Sequence, residues 1–173
     1  MIKVLDNVLP KNSFDFLHQF FINEPIWKLN MTSQEGHYNI PGRVLWDKND
    51  NTNTQTSSQV LSAFVYQFIK EKSKFLTDDI IRIHIGAKAP MQDDALHKDS
   101  IENNHYTILY YLNPIWKKEW GGETIVGDKS IEYKPNRAVI YKSNILHGGK
   151  SPKVPILRTY LNYVVNSEII KWK

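Results

Sequence analysis

From Ile80 onward the chain is a series of short segments rich in β-branched and aromatic residues. Ile80–Ile85, Tyr106–Asn113, Glu123–Val126, Ile131–Tyr133, Ala138–Tyr141 and Arg158–Val165 each have strand composition, and Gly, Pro, Asn and Lys runs part them. Several short strands at this spacing fold as a sandwich or a barrel. Helical stretches come first. Pro10-Lys11-Asn12-Ser13 reads as a helix start, Phe14, Leu17 and Phe21 follow at helical spacing, and Asn23-Glu24-Pro25 reads as the stop. Residues 26–46 read as strands and turns punctuated by Pro41-Gly42, and residues 47–58 as a polar loop. Val60, Leu61, Phe64, Val65, Phe68 and Ile69 predict one face of a second helix. Ser57 or Ser58 would cap it, and Lys70, Lys72 and Lys74 crowd its last turn. The expectation is a mainly β chain of 173 residues in one domain, with helical support over 1–79 packed against a β-core over 80–165.

Composition removes several chemistries. There is no cysteine, so disulfides, thiolate metal sites and cysteine nucleophiles are excluded, and any metal must be held by imidazole and oxygen. No apolar run approaches the length of a membrane span, and Met1–Asp6 lacks the apolar stretch of a signal peptide, so a cytoplasmic location is expected. The net charge of +4 is uneven: residues 1–86 hold nine basic and nine acidic side chains, residues 87–173 thirteen and nine. A solvated lysine-rich surface accounts for this, and so does a basic half that attracts small anions such as a dicarboxylate. Nucleic-acid binding lacks support, because no dense Lys/Arg run is interleaved with aromatics.

His97-Lys98-Asp99 and, forty-eight residues beyond Asp99, His147 carry the chemical signal. In an extended chain residues i and i+2 face the same way, so His97 and Asp99 would point at one spot and Lys98 away from it. His147, before Gly148-Gly149, would bring the third ligand from a neighbouring strand. Two histidines and one carboxylate form the facial triad of non-haem Fe(II) oxygenases, which leaves coordination positions open. An H-x-D triplet alone is weak: His97 could be a loop histidine bonded to Asp99, and His147 a turn residue.

Arg158 adds to the case. Ser151–Pro155 reads as a turn, which would put His147 and Arg158 on facing strands of a hairpin, with Arg158, Tyr160, Asn162 and Val164 on one strand face. A buried arginine needs an anion, and its fork suits a carboxylate; a rim arginine with its head in water is the other reading. Tyr111 shares a strand face with Thr107 and Leu109 and could help hold the same carboxylate, or be a core tyrosine satisfied by backbone. Gly86–Leu96 and Ser100–Asn104 would be loops shaping substrate access, and Trp46 and Trp116 could line an entrance or simply pack.

The order His97-x-Asp99, Tyr-Thr-Ile-Leu-Tyr-Tyr-Leu-Asn (106–113), Trp-Gly-Gly-Glu-Thr (120–124), His147-Gly148 and Arg158 resembles the 2-oxoglutarate/Fe(II)-dependent dioxygenases, and among them the prolyl 4-hydroxylase-like branch. The resemblance covers about residues 80–165. It implies a double-stranded β-helix, or jelly-roll, core with N-terminal support helices. It also implies Fe(II) held by His97, Asp99 and His147, and 2-oxoglutarate with its distal carboxylate on Arg158 and Tyr111. His84 stands where such enzymes often carry a tyrosine near the cosubstrate, and many prolyl hydroxylases have lysine where Arg158 stands. The implied reaction consumes O2, converts 2-oxoglutarate to succinate and CO2, hydroxylates a C–H bond and commonly draws support from ascorbate. Peptidyl proline is the first expected substrate, a free amino acid or other small molecule the second. Two other readings remain: a non-catalytic, cupin-like jelly-roll binding module, and a Zn or Mn hydrolase on the same ligands.

Overall fold

A computed structural model describes residues 2–23, 27–31, 40–50, 56–74 and 76–167. In chain order its elements are β1 (Ile2–Leu5), α1 (Lys11–Asn23), β2 (Lys28–Met31), β3 (Ile40–Asp47), α2 (Ser57–Ser73), β4 (Ile80–Lys88), β5 (His105–Tyr111), a 3-10 turn (Lys118–Trp120), β6 (Thr124–Val126), β7 (Lys129–Ile131), β8 (Ala138–Lys142), β9 (His147–Gly149) and β10 (Arg158–Asn166). Seven strands form one antiparallel sheet in the order β1-β8-β5-β10-β4-β3-β2, and β7-β6-β9 form a second. The mainly β architecture with two helices is the expected jelly-roll type, although its sheets do not close into a barrel. Among the described residues no helix is long and apolar enough to cross a membrane.

Strand alternation gives the large sheet two different faces. Ile83 and Ile85 of β4, Tyr106, Ile108 and Tyr110 of β5, and Leu161, Tyr163 and Val165 of β10 pack with Phe14, Leu17 and Phe21 of α1 and Val65, Tyr66 and Ile69 of α2. The opposite face turns toward the small sheet. There Leu109, Tyr111, Val139, Tyr141 and Tyr160 cluster with Val126, Ile131 and Tyr133. Each face alone buries apolar area against one layer, so the helices and the small sheet stabilise the central strands from both sides.

Several sequence expectations change. The cap of α2 is Thr56 rather than Ser57 or Ser58. Thr56 Oγ1 accepts from Gln59 N at 3.3 Å, and Gln59 Oε1 accepts from Thr56 N at 2.8 Å. A glutamine at the third helical position makes Thr56 the reciprocal partner, and neither serine has one. Lys70 and Lys72 do lie in the last turn, while Lys74 is the left-handed cap at φ 65°. The buried face of α2 is also rotated from the expected one. Val65 and Ile69 are buried, but Val60 and Phe64 are half exposed, and Ser58, Ser62, Tyr66 and Ser73 take the inner positions. The small Ser62 permits close approach to the sheet, where the Tyr163 hydroxyl donates to its carbonyl at 2.9 Å. Ser62 is itself fully buried, and interiors packed at this density accept added volume poorly. Strand β1 was not anticipated; it pairs with β8 through Ile2–Leu5. Gly86–Lys88 are strand rather than loop. Glu24, Pro25 and residues 51–55 lie outside the described residues.

Ser62→Leu is expected to destabilise the protein by about 1–3 kcal/mol through overpacking. Urea unfolding measures this, and an unchanged midpoint would place α2 farther from the sheet.

Candidate active site

The site lies between the two sheets, where a cavity of about 200 Å³ is lined by residues that include His84, Asp94, His97, Asp99, His147 and Arg158. The segment 93–97 is zipped to β9 and the residues after it. His97 and His147 exchange backbone hydrogen bonds at 2.9 Å in each direction, and Asp94 N donates to Gly149 O at 2.9 Å. This fixes the two histidine rings 4.5 Å apart. His147 and Arg158 are not on a hairpin, contrary to the reading of Ser151–Pro155: β9 belongs to the small sheet and β10 to the large one. They face one another across the cavity.

His97, Asp99 and His147 each present a ligand atom, all within 4.8 Å of one another. Both histidines are oriented in the same way. Nδ1 of His97 lies 2.9 Å from Ala95 O, and Nδ1 of His147 lies 2.9 Å from Ile145 O. A carbonyl only accepts, so Nδ1 carries the proton and Nε2 presents its lone pair. His147 Nε2 is 3.4 Å from Asp99 Oδ2, and His97 Nε2 is 3.9 Å from Oδ1. Asp99 is held by the Thr107 hydroxyl at 2.8 Å, by Asn162 Nδ2 at 3.3 Å and by Arg82 Nη2 at 3.3 Å. Burial pushes its carboxyl up, but hydrogen bonding and charge from His147, Arg82 and Thr107 outweigh that and hold it far below the usual range. Burial lowers the His147 pKa, and the Asp99 carboxylate beside it more than reverses this, for a net rise.

The donor set fits a divalent metal of the harder kind, with two nitrogens and one carboxylate. A second observation agrees. Among the described residues the buried side-chain polar atoms lacking a hydrogen-bond partner are His147 Nε2, Arg82 Nε, Asn162 Oδ1 and Tyr141 Oη. Arg82 and Asn162 both bond Asp99, and the Tyr141 ring lies 4.8 Å from that of His147. Buried polar atoms are normally satisfied, and the unpaired lone pair of His147 Nε2, 3.4 Å from Asp99 Oδ2, marks a place for a cation, whereas Arg82 Nε is a donor and does not.

At the other end is Arg158, only 1% exposed. Its Nε donates to Gly122 O and its Nη2 to Thr124 Oγ1, each at 2.8 Å, and its guanidinium lies 5.2–5.3 Å from the ring centres of Tyr111, Tyr133 and Tyr160. Among the described residues no carboxylate lies within ion-pair distance of it. The Tyr111 hydroxyl bonds Thr124 Oγ1 at 2.7 Å. His84 lines the wall between the two ends, edge-on to Tyr160 at 6.0 Å. Burial lowers its pKa to about 4, so its ring is neutral.

Residues 80–163 match the model of the 2OG-Fe(II) oxygenase superfamily. The chain belongs to the 2OG-Fe(II) oxygenase superfamily. An oxidoreductase of this family from Burkholderia pseudomallei has a similar fold, with a TM-score of 0.69 at 16% identity over 95% of this chain and 84% of that one. A Trichoplax adhaerens prolyl hydroxylase, solved with a hypoxia inducible factor peptide, gives 0.65 at 14% over 95% and 83%. HygX from Streptomyces hygroscopicus, solved with nickel and 2-oxoglutarate, gives 0.63 at 9% over 95% and 82%. A search of curated protein sequences found no match.

Sequence reading missed part of this oxygenase's site. Tyr160 lies across β4, where a Cβ on Gly86 would come within 2.6 Å of its ring. Lys88, fully buried, is paired with Asp94 at the edge of the cavity. Gly149 admits that lysine, since a Cβ there would be 2.8 Å from Lys88 Cε. Tyr160 and Asn162 were legible as neighbours of Arg158 at i+2 and i+4; Lys88 and Asp94 left no signal, because their pairing depends on how the 89–96 loop folds back. Trp46 and Trp116 do not line the cavity. Trp116 packs on Tyr133 and Trp120 and donates to Gly121 O.

Thr107→Val should weaken Mn(II) binding roughly 10- to 100-fold, because Asp99 loses the hydroxyl that orients it. For the wild type the ion must displace a proton whenever His147 is protonated. Since that pKa is raised above 6.5, affinity is full at high pH and begins to fall before pH 6.5 is reached from above. Calorimetric Mn(II) titrations across this range check both, and an affinity flat to pH 5 would remove His147 from the ligand set.

Proposed function

We propose that the chain couples oxidative decarboxylation of 2-oxoglutarate to hydroxylation of a C–H bond, with His97, Asp99 and His147 holding Fe(II). Iron(II), when bound there, supplies the activation of dioxygen. The protein's own part is orientation and charge. Thr107 and Asn162 fix the carboxylate, and two backbone carbonyls fix the imidazoles.

The observation that carries the cosubstrate is Arg158. A guanidinium almost wholly removed from water, with aromatic rings around it and no carboxylate of the described residues within ion-pair distance, carries an uncompensated charge. A dicarboxylate reaching from the triad would supply the anion, with the Tyr111 hydroxyl reinforcing the contact through Thr124. A neutral His84 and the Tyr160 hydroxyl would complete the polar wall along it. A cupin-like binding module or a metal hydrolase leaves the buried Arg158 without a reason.

For the prime substrate, the likeness to the Trichoplax adhaerens prolyl hydroxylase supports a prolyl residue of a peptide. A free amino acid or other small molecule is supported by a different observation, a guanidinium in the cavity on the triad side.

Oxygen-dependent succinate formation from 2-oxoglutarate, with Fe(II) and ascorbate, is the test. Wild type should turn over slowly without a substrate, and Asp99→Ala not at all. Arg158→Ala should lose roughly 10- to 150-fold in 2-oxoglutarate affinity. A wild type that neither binds 2-oxoglutarate nor forms succinate would end this reading.

A further inference from the structure

The cavity-lining residues of β4 are Arg82, His84 and Gly86, with Lys88 next on the same strand face, and β10 fixes their order: Lys88 is level with Arg158, His84 with Asn162, Arg82 with Val164. Arg82 and Lys88 are six residues apart, roughly 20 Å along an extended strand. Arg158 therefore marks one end of the cavity and Arg82 the other, with the triad between them and Arg82 beside it.

Lys88 has its own counter-charge in Asp94, but Arg82 does not have one to itself. Among the described residues its side chain makes a single hydrogen bond, 3.3 Å to Asp99 Oδ1. Asp99 is also the carboxylate aimed at the metal position, and Thr107 and Asn162 share its other oxygen. The Arg82 side chain remains 32% exposed, and its Nε is buried without a partner. The charges of the site can be counted. A divalent ion and a doubly charged cosubstrate cancel, Lys88 cancels Asp94, and Asp99 cancels only one of Arg82 and Arg158. Among the residues that line the cavity one guanidinium charge remains, and Lys98 adds to it; Asp47, opposite Arg82 on β3, lies outside the lining and accepts from Asn49 N.

We infer that the molecule hydroxylated by this enzyme is a small carboxylate anion, and that its carboxylate docks on Arg82 at the side of the triad away from Arg158. This rests on the oxygenase reading and narrows its substrate. The exposed part of the Arg82 guanidinium offers N–H donors that a carboxylate accepts. An internal prolyl residue of a peptide is neutral and would leave that charge unmatched.

The test uses the protein loaded with Mn(II) and 2-oxoglutarate, in which no turnover occurs. It is titrated with free L-amino acids and short aliphatic carboxylic acids, each beside its primary amide, and with a prolyl peptide acetylated and amidated at its ends. Binding is read from the Mn(II) electron paramagnetic resonance signal and from the thermal midpoint. One or more acids should bind, with the matching amide at least about tenfold weaker. Arg82→Gln should erase that preference, and Arg82→Lys should restore part of it because charge returns without the fork. Mn(II) affinity, measured for each variant, separates a disturbed Asp99 from a lost anion site, and the acid–amide comparison in wild type needs no variant. Acid and amide binding alike, the capped peptide as the ligand, or no acid binding at about 10 mM would overturn the inference. A wild type that fails to take up 2-oxoglutarate would overturn the oxygenase reading and this inference with it.

Discussion

Everything in this structure depends on the alternation of side chains along β10. The strand is buried over Arg158–Val165, so each residue has a partner layer and no position is free to slip. Arg158, Tyr160 and Asn162 enter the cavity; Leu161, Tyr163 and Val165 enter the helical core. A shift of one residue would drive a guanidinium into the apolar cluster beneath α1 and α2 and send leucine and valine toward the His97, Asp99 and His147 cluster. Register with β5 on one side and β4 on the other carries that constraint outward. Tyr160 is set opposite Tyr111 and Asn162 opposite Leu109 on one side, and Asn162 is set opposite His84 on the other.

On this frame the site concentrates charge that a stability-optimised core would exclude. Asp99, Arg158, Lys88 and Asp94 are all largely removed from water. Burying ions costs several kcal/mol each unless they are paired and hydrogen-bonded. Asp99 meets that cost with four polar neighbours, and Lys88 and Asp94 meet it with each other, Asp94 also accepting from Gly149 N at 2.9 Å. Arg158 has backbone and hydroxyl acceptors and aromatic faces, but among the described residues no anion within ion-pair distance. The polar atoms left unpaired cluster around the triad. A protein that keeps such an arrangement completes it with what it binds.

Helix α2 shows the limits of periodicity. Val60 and Phe64 belong to the apolar stripe, but the inner face is lined partly by serines, because closeness to the sheet was worth more than side-chain area. Thr56 took the cap from its serine neighbours through a reciprocal bond with Gln59 that composition alone does not single out. The reading of Ser151–Pro155 failed for a related reason. A turn signal tells where the chain bends, but not whether the next strand pairs with the last one or crosses to another sheet.

What the sequence determined by itself was chemistry and local alternation. The His97-x-Asp99 spacing puts an imidazole and a carboxylate on one side of an extended segment, and the i, i+2 rule puts Arg158 and Tyr160 on one face, whatever the strand pairs with. The absence of cysteine limits the metal ligands to nitrogen and oxygen. Only the tertiary structure decided which distant groups meet: His147 against Asp99, Lys88 with Asp94, Arg82 beside the triad, β1 on the edge of β8. Those contacts join residues tens of positions apart, and their partners are chosen by strand order and by packing across layers. Neither leaves a periodic trace in the chain.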